Sequence, residues 1–477
     1  MFEVLTGERR ETVAAPPPCL IEVAGDPATV AAYRALRTRV FVTEQGLFGH
    51  SDADDRDDDP RTVVLVARAP DGTVIGGVRL GPAGPGPDLG WWQGGRLVVD
   101  PAARRGRTGV ALVRAACTHA EQAGALRFDA TVQPAQESFF RRLGWQPVRA
   151  AVVAGHPHVL MRYPIGRLAG LAAQAKSRLG GLLAGLGDAG PGDGLLSGAG
   201  RAPGGAGFRG DDGAPVPGTD VVAACDAIVP SMVERDPHWA GWCSVLVNVN
   251  DLAAMGATPV GLLDAVGARD ASFAARVLAG LRQAATAYGV PVLGGHTQLG
   301  VPAALAVTAL GRTADPVPGG GGRPGHRVRI TADLGGGWRP GYRGRQWDST
   351  TIRRTPELRA MLTSVAAARP AAAKDVSMAG IAGTLGMLAE ASGCGAVLDV
   401  DRVPRPAGAT TGDWLSCFPG FAMITTDGPA RDRPLPAGPA VSAECGELRP
   451  GRGVTLRWPD GDCTEVIAGA VTGLGIA

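Results

Sequence analysis

Residues 245–266 read VLVNVNDLAAMGATPVGLLDAV. Nearly every position is apolar or small, the signature of a buried strand (Val245–Val249) running into a short helix. Asn248, Asn250 and Asp251 interrupt it. Burying an amide without a partner costs roughly 2–7 kcal/mol, and an unpaired carboxylate more, so the run predicts that something compensates Asp251.

Other acids share this setting. Asp211 and Asp212 form a pair in the glycine-rich GDDGA, Asp226 ends the apolar VVAACD, and Asp375 stands at the start of a helix predicted from KDVSMAGIAGTL. Acids at element ends in apolar surroundings read in two ways. Each caps the next helix, or they converge and need a cation. Hard oxygen ligands select Mg²⁺, which stays partly hydrated and shares a nucleotide's phosphates. We therefore expect the paired acids of GDDGA, Asp226, Asp251 and Asp375 to hold a metal ion.

The rest of the chain sets the frame. With 477 residues, 45% hydrophobic and 19% charged, it has room for two to four globular domains. A net charge of +2 argues against a nucleic-acid footprint. Lys176 and Lys374 are the only lysines. Eight scattered cysteines without a C-x-x-C pair fit reduced thiols, and the first residues lack a signal-peptide core, so a cytoplasmic protein is expected. The helical stretch 164–187 is broken by Lys176 and Arg178, so no membrane span is expected. Composition divides the chain into a loose tail (1–18), an α/β unit (19–165), a helix with a Gly/Pro-rich linker (166–205), and two further α/β units (206–325 and 326–477).

In the first α/β unit, GGRLVVDPAARRGRTGVALV runs from a strand through an Arg/Gly turn into a helix. Small residues and free N–H groups at a helix start favour a pyrophosphate. The segment resembles the acyl-CoA-binding motif of the GNAT acetyltransferase superfamily, and ESFFRRLGW resembles a later GNAT segment. The resemblance implies a GNAT fold, acetyl-CoA or another acyl-CoA as cofactor, and Val98, Val99, Arg105, Gly106, Arg107, Thr108, Gly109, Val110 and Ala111 as its cradle. Glu44 is the candidate general base, with a surface helix-end role as the alternative. The acidic run Asp52–Asp59 either attracts a cationic acceptor or is a solvated loop. Phe140 stands where many of these enzymes have a proton-donating Tyr.

From residue 206 onward, GDDGA, ACD, NVNDLAAMGATP and GGHT resemble the aminoimidazole ribonucleotide (AIR) synthetase superfamily, which includes thiamine-monophosphate kinase and selenophosphate synthetase. The resemblance implies Mg-ATP chemistry, a glycine-rich cover over the nucleotide (188–210), and a homodimer formed through the central domain. It implies Asp211, Asp226 and Asp251 as metal ligands, with Asp375 among the carboxylates, places Asn248 on the nucleotide side, and matches Gly294, Gly295 and Thr297 to the glycine turn in GGHT. His296 replaces a ligand Asp there and is a candidate ligand or acid–base. Met378 likewise replaces an Asp in Asp375-Val376-Ser377-Met378. Lys374 is placed either against a phosphate or on the surface. Trp338, Tyr342, Arg343, Arg345 and Trp347 suggest either a substrate sandwich or interdomain packing.

The reading is thus α/β multidomain: a GNAT-like N-acyltransferase fused to a Mg-ATP-dependent enzyme acting on small-molecule substrates. The alternative is a sensor or scaffold that binds CoA or ATP without turnover.

Overall fold

The computed structural model describes residues 19–187 and 207–477. The tail 1–18, the linker 188–205 and most of the expected nucleotide cover lie outside them. The chain divides into two compact units, Met1–Ile165 and Gly166–Ala477.

In the first unit, seven strands form one sheet in the order Leu20–Val23, Val63–Arg68, Val74–Pro82, Trp91–Val99, Arg127–Val132, His156–Tyr163, Gln146–Val153. Only Trp91–Val99 and Arg127–Val132 run parallel, and their pairing stops at Gly94 opposite Ala130. Beyond that point the two strands part. Helix Pro27–Arg37 starts where Pro27 fixes the first helical φ and Asp26 accepts from Thr29 N at 2.8 Å, and it runs on as a π-helical turn, Thr38–Glu44. Helix Thr108–Gln122 buries Leu112, Val113 and Ala116 against Phe128 and Trp145.

The second unit joins the two C-terminal α/β segments in one continuous core. Trp242, Val249 and Leu252 share it with Leu358, Met361, Phe421 and Met423. A five-stranded sheet runs Val292–Leu299, Thr258–Ala268, Ala304–Arg312, Val221–Ala227, Ala214–Pro215. A seven-stranded sheet includes Ala372–Asp375, Ala422–Asp427 and Arg327–Ala332 as neighbours. Helix Arg167–Lys176, expected as part of a linker, belongs to this unit and buries Leu168 and Ala172.

Two expected elements change type. Val245–Val249 is not a strand but the middle of helix Pro237–Ala254. That helix is covered on all sides, so its apolar residues surround the axis and leave no helical stripe to read. Its crossing with helix Ala271–Tyr288 is tight: a Cβ on Gly241 would meet Val277 O at 2.0 Å, and one on Gly280 would meet His238 O at 1.8 Å. Asp375 does not open a helix; it closes the strand Ala372–Asp375, and the helix begins at Gly380.

Candidate functional sites

In the second unit the acids meet. Asp212, Asp251 and Asp375 each bring a carboxylate oxygen to within 4.8 Å of the others. They come from a glycine-rich loop, the last turn of a buried helix and the end of a strand, which is why only the fold assembles them. Asp251 lies near the negative end of its helix dipole, which adds to the cost of a bare charge there. Burial first, then the neighbouring carboxylates Asp375, Asp226 and Asp212, push the Asp251 carboxyl well up. Asp375 is pushed well up by burial and then by Asp212 and Asp226. Asp212 is raised by burial, against the pull of Lys374. Asp226 is solvent-accessible in strand Val221–Ala227, yet desolvation raises its carboxyl too, with Lys176 opposing. Burial and crowding act in the same direction on these carboxyls, because each charge raises the cost of the next.

Two of the four expected ligands, Asp211 and Asp226, are not among the three clustered acids. Asp211 does not join the cluster. Its Oδ2 accepts from Gly319 N at 2.5 Å, and its Oδ1 from Asp212 N at 2.9 Å and Lys374 Nζ at 3.0 Å. Asp212, overlooked as a ligand, takes its place. The sequence offered no way to choose between adjacent aspartates, because the side-chain directions are set by the turn. Asn248 is fully buried on the same helix; its amide nitrogen donates to Ser244 O at 2.8 Å, and its Oδ1 has no partner among the described residues.

His296, Gly294, Gly295 and Thr297 lie apart from these contacts. They form part of strand Val292–Leu299, not a turn, at an edge of the five-stranded sheet, where every residue is exposed. Among the described residues no hydrogen bond or ion pair joins His296 to the acids. Met378 is exposed. The aromatic loop is packing: Trp347 is buried between Trp338 and Trp414, with ring centroids 5.1 and 5.9 Å away, while Arg339 covers Trp239 and Arg235 covers Tyr342. Arg343 and Arg345 are exposed.

In the first unit, Val98 and Val99 end the strand that parts from Arg127–Val132. Arg105, Gly106 and Arg107 form an exposed turn, and helix Thr108–Gln122 begins without a side-chain cap, so the N–H groups of Thr108, Gly109 and Val110 mark its electropositive start, while Ala111 N–H already donates to Arg107 O at 2.9 Å. A cavity of about 140 Å³ reaches the parting strands and is lined by Phe41, Phe48, Gly95, Thr131, Phe140 and His158. Phe140 packs edge-on against Phe139 and Trp145.

Glu44 is engaged elsewhere. Its two oxygens accept from Arg104 at 2.5 and 2.8 Å, and that hydrogen-bonded pairing holds its carboxyl below the usual range. Such a carboxylate is a weaker base. His158, overlooked in the sequence, is buried at the cavity wall, with Nδ1 at 3.0 Å from His156 O. With Nδ1 donating, Nε2 carries the lone pair. A lone His in a strand gives no sequence signal.

Part of the acidic run is internally paired, while Asp55 and Asp58 stay exposed. Asp52 and Asp57 pair with buried Arg37 at 2.7 and 2.6 Å, and Arg79 forks onto Asp54 at 2.6 and 2.8 Å. Arg96, held at φ 55° where its strand slips register, donates to Asp52 O and Asp54 and lies over Phe48. The run is an ionic lock beside the cavity.

With the geometry in place, family comparison is decisive. The model for the AIR synthase related protein N-terminal domain matches residues 210–313, and that for the C-terminal domain matches 332–433. An uncharacterized Synechocystis protein is 35% identical over 260 residues, covering 52% of this chain and 80% of the relative. The chain belongs to the AIR synthase related proteins. This AIR synthase related protein also carries an acetyltransferase (GNAT) domain, matched over residues 60–147. An uncharacterized Methanocaldococcus jannaschii protein is 33% identical over 39% of this chain and 60% of its own length. The thiamine-monophosphate kinase of Halobacterium salinarum is 32% identical over 35% of this chain, which spans 59% of that kinase. Among solved structures, thiamine monophosphate kinase from Aquifex aeolicus matches 54% of this chain and 92% of its own at 19% identity, with a TM-score of 0.41. T. maritima PurL complexed with ATP matches 56% and 46% at 19% identity, with a TM-score of 0.45. Among the described residues no helix is long and apolar enough to cross a membrane.

Proposed function

We propose that the second unit uses ATP and Mg²⁺ to phosphorylate or activate a small metabolite. The observation that carries this reading is the convergence of Asp212, Asp251 and Asp375. Three hard oxygen donors with raised carboxyls fit Mg²⁺, with Asp226 as a nearby fourth acid. When bound, Mg²⁺ neutralises phosphate charge and orients the nucleotide. The chain's own part is to hold the carboxylates in place: helix Pro237–Ala254 fixes Asp251, and the backbone N–H of Asp375 donates to Asp212 Oδ2 at 3.0 Å.

The first unit we read as an acyl-CoA-dependent N-acyltransferase. Its support is the parted strands, the uncapped helix start and the adjoining cavity. His158 replaces Glu44 as our base: Nε2 would take a proton from the acceptor amine as the amine nitrogen attacks the thioester carbonyl, and the C–S bond then breaks to release CoA, whose thiolate takes up that proton.

Homodimerisation through the central sheet is supported by its exposed apolar side chains, among them Val260, Leu263 and Leu293. Eight free cysteines suit a reducing, cytoplasmic setting.

Calorimetry with ATP and Mg²⁺, run beside an ADP-release assay on a metabolite panel, tests the main reading. Mg²⁺-dependent ATP binding with turnover supports it. Binding without turnover on any metabolite marks a sensor, and no ATP binding removes the proposal.

A further inference from the structure

The acidic site contains a cation of its own. Lys374 is 2% exposed and spends every ammonium proton inside the protein: on Asp211 Oδ1 at 3.0 Å, Asp212 Oδ1 at 2.9 Å and Gly210 O at 3.3 Å. No donor is left for a nucleotide phosphate. Backbone is shaped around the pair, since a Cβ on Gly319 would meet Asp211 Oδ1 at 2.5 Å and Lys374 Cε at 2.8 Å. Asp211 is equally committed, to Lys374, Gly319 N and Asp212 N.

We propose that the Lys374 ammonium is a resident cation standing where a divalent ion would otherwise bridge Asp211 and Asp212, so that the protein binds one ion fewer than its carboxylates would hold without it. The inference rests on the carboxylate cage proposed above and assigns its stoichiometry. A tethered ammonium stays whatever the ion concentration. It therefore keeps the 210–212 loop on the strand Ala372–Asp375, with Asp212 turned toward Asp251 and Asp375, before any ion arrives. A divalent ion supplies twice the charge but must be recruited from solution. His296 and Met378, standing where the resemblance implied carboxylates, lower the anionic count in the same direction.

The test counts Mn²⁺ bound per full-length chain from the free-ion electron paramagnetic resonance signal, with circular dichroism as the folding control. Lys374→Met should gain one tight Mn²⁺ over wild type, Lys374→Arg should keep the wild-type number, and Asp211→Asn with Lys374→Met should lose the added ion. A Lys374→Met chain that folds only with Mn²⁺ supports the inference as well. A folded Lys374→Met chain with the wild-type count overturns it and leaves the cage standing, and so does one that Mn²⁺ fails to fold. A wild type that binds no Mn²⁺ overturns both.

Discussion

Lys374 Nζ lies 2.9 Å from Asp212 Oδ1, across 162 residues of chain. The lysine anchors one carboxylate of a cluster whose other members, Asp251 and Asp375, have no basic side chain hydrogen-bonded to them among the described residues.

Asp251→Asn should reduce ATP turnover at least ~100-fold, because the substitution removes a charge that the bound ion requires. It should not lower the melting temperature of the ion-free protein, since the carboxyl it replaces is destabilised there by burial and by Asp375. Thermal melts with chelator and with Mg²⁺ check this: the Mg²⁺-induced rise should vanish in the variant.

Stability should depend on pH with a defined sign. Asp251 and Asp375 have folded values well above the ordinary 3.8. A raised carboxyl contributes stability in its protonated form, fully below that ordinary value, and the contribution is lost as pH rises through the folded value. With chelator present, the second unit should therefore weaken as pH rises from about 4 toward neutrality. Mg²⁺ displaces the same protons, so its stabilisation should grow as pH rises from about 4 through the folded values. Melts across that range with and without Mg²⁺ decide it.

His158→Gln should slow acyl transfer from acetyl-CoA to a responsive amine by roughly 10²–10⁴-fold, the usual span for loss of a general base. Glu44→Gln should change the rate by less than ~10-fold, because that carboxylate is occupied by Arg104. A larger loss in Glu44→Gln than in His158→Gln would reverse the assignment.

Arg37→Ala should destabilise the first unit by about 1–3 kcal/mol, because Asp52 and Asp57 lose one buried partner but keep Arg96 and Arg79 at 3.3 and 2.8 Å. Differential scanning calorimetry of the full chain would show the transition of that unit moving down.

Leu293→Asp should shift the protein toward monomer in analytical ultracentrifugation. It places a charge on an exposed edge strand that the proposed dimer would cover.

Motif order alone carried the division into a GNAT domain and an AIR synthase related module, because each motif is local: a strand, a turn and a helix start lie within a few residues of one another, as in Leu97–Ala111. The need of Asp251 for compensation was legible for the same reason, since its apolar neighbours are adjacent in the chain. Its helix was not. Val245, Val247 and Val249 alternate like a strand, and only a covering on every side favours helix there.

Composition, fold class and the presence of buried acids were thus fixed by neighbours along the chain. Which acids share a centre was decided by the tertiary structure alone. Asp211 and Asp212 are equivalent in sequence, and a loop, a helix end, a strand end and one lysine 162 residues away sort them into an ion pair and a candidate ligand. Electrostatic energy depends on distance through space, and the fold sets that distance.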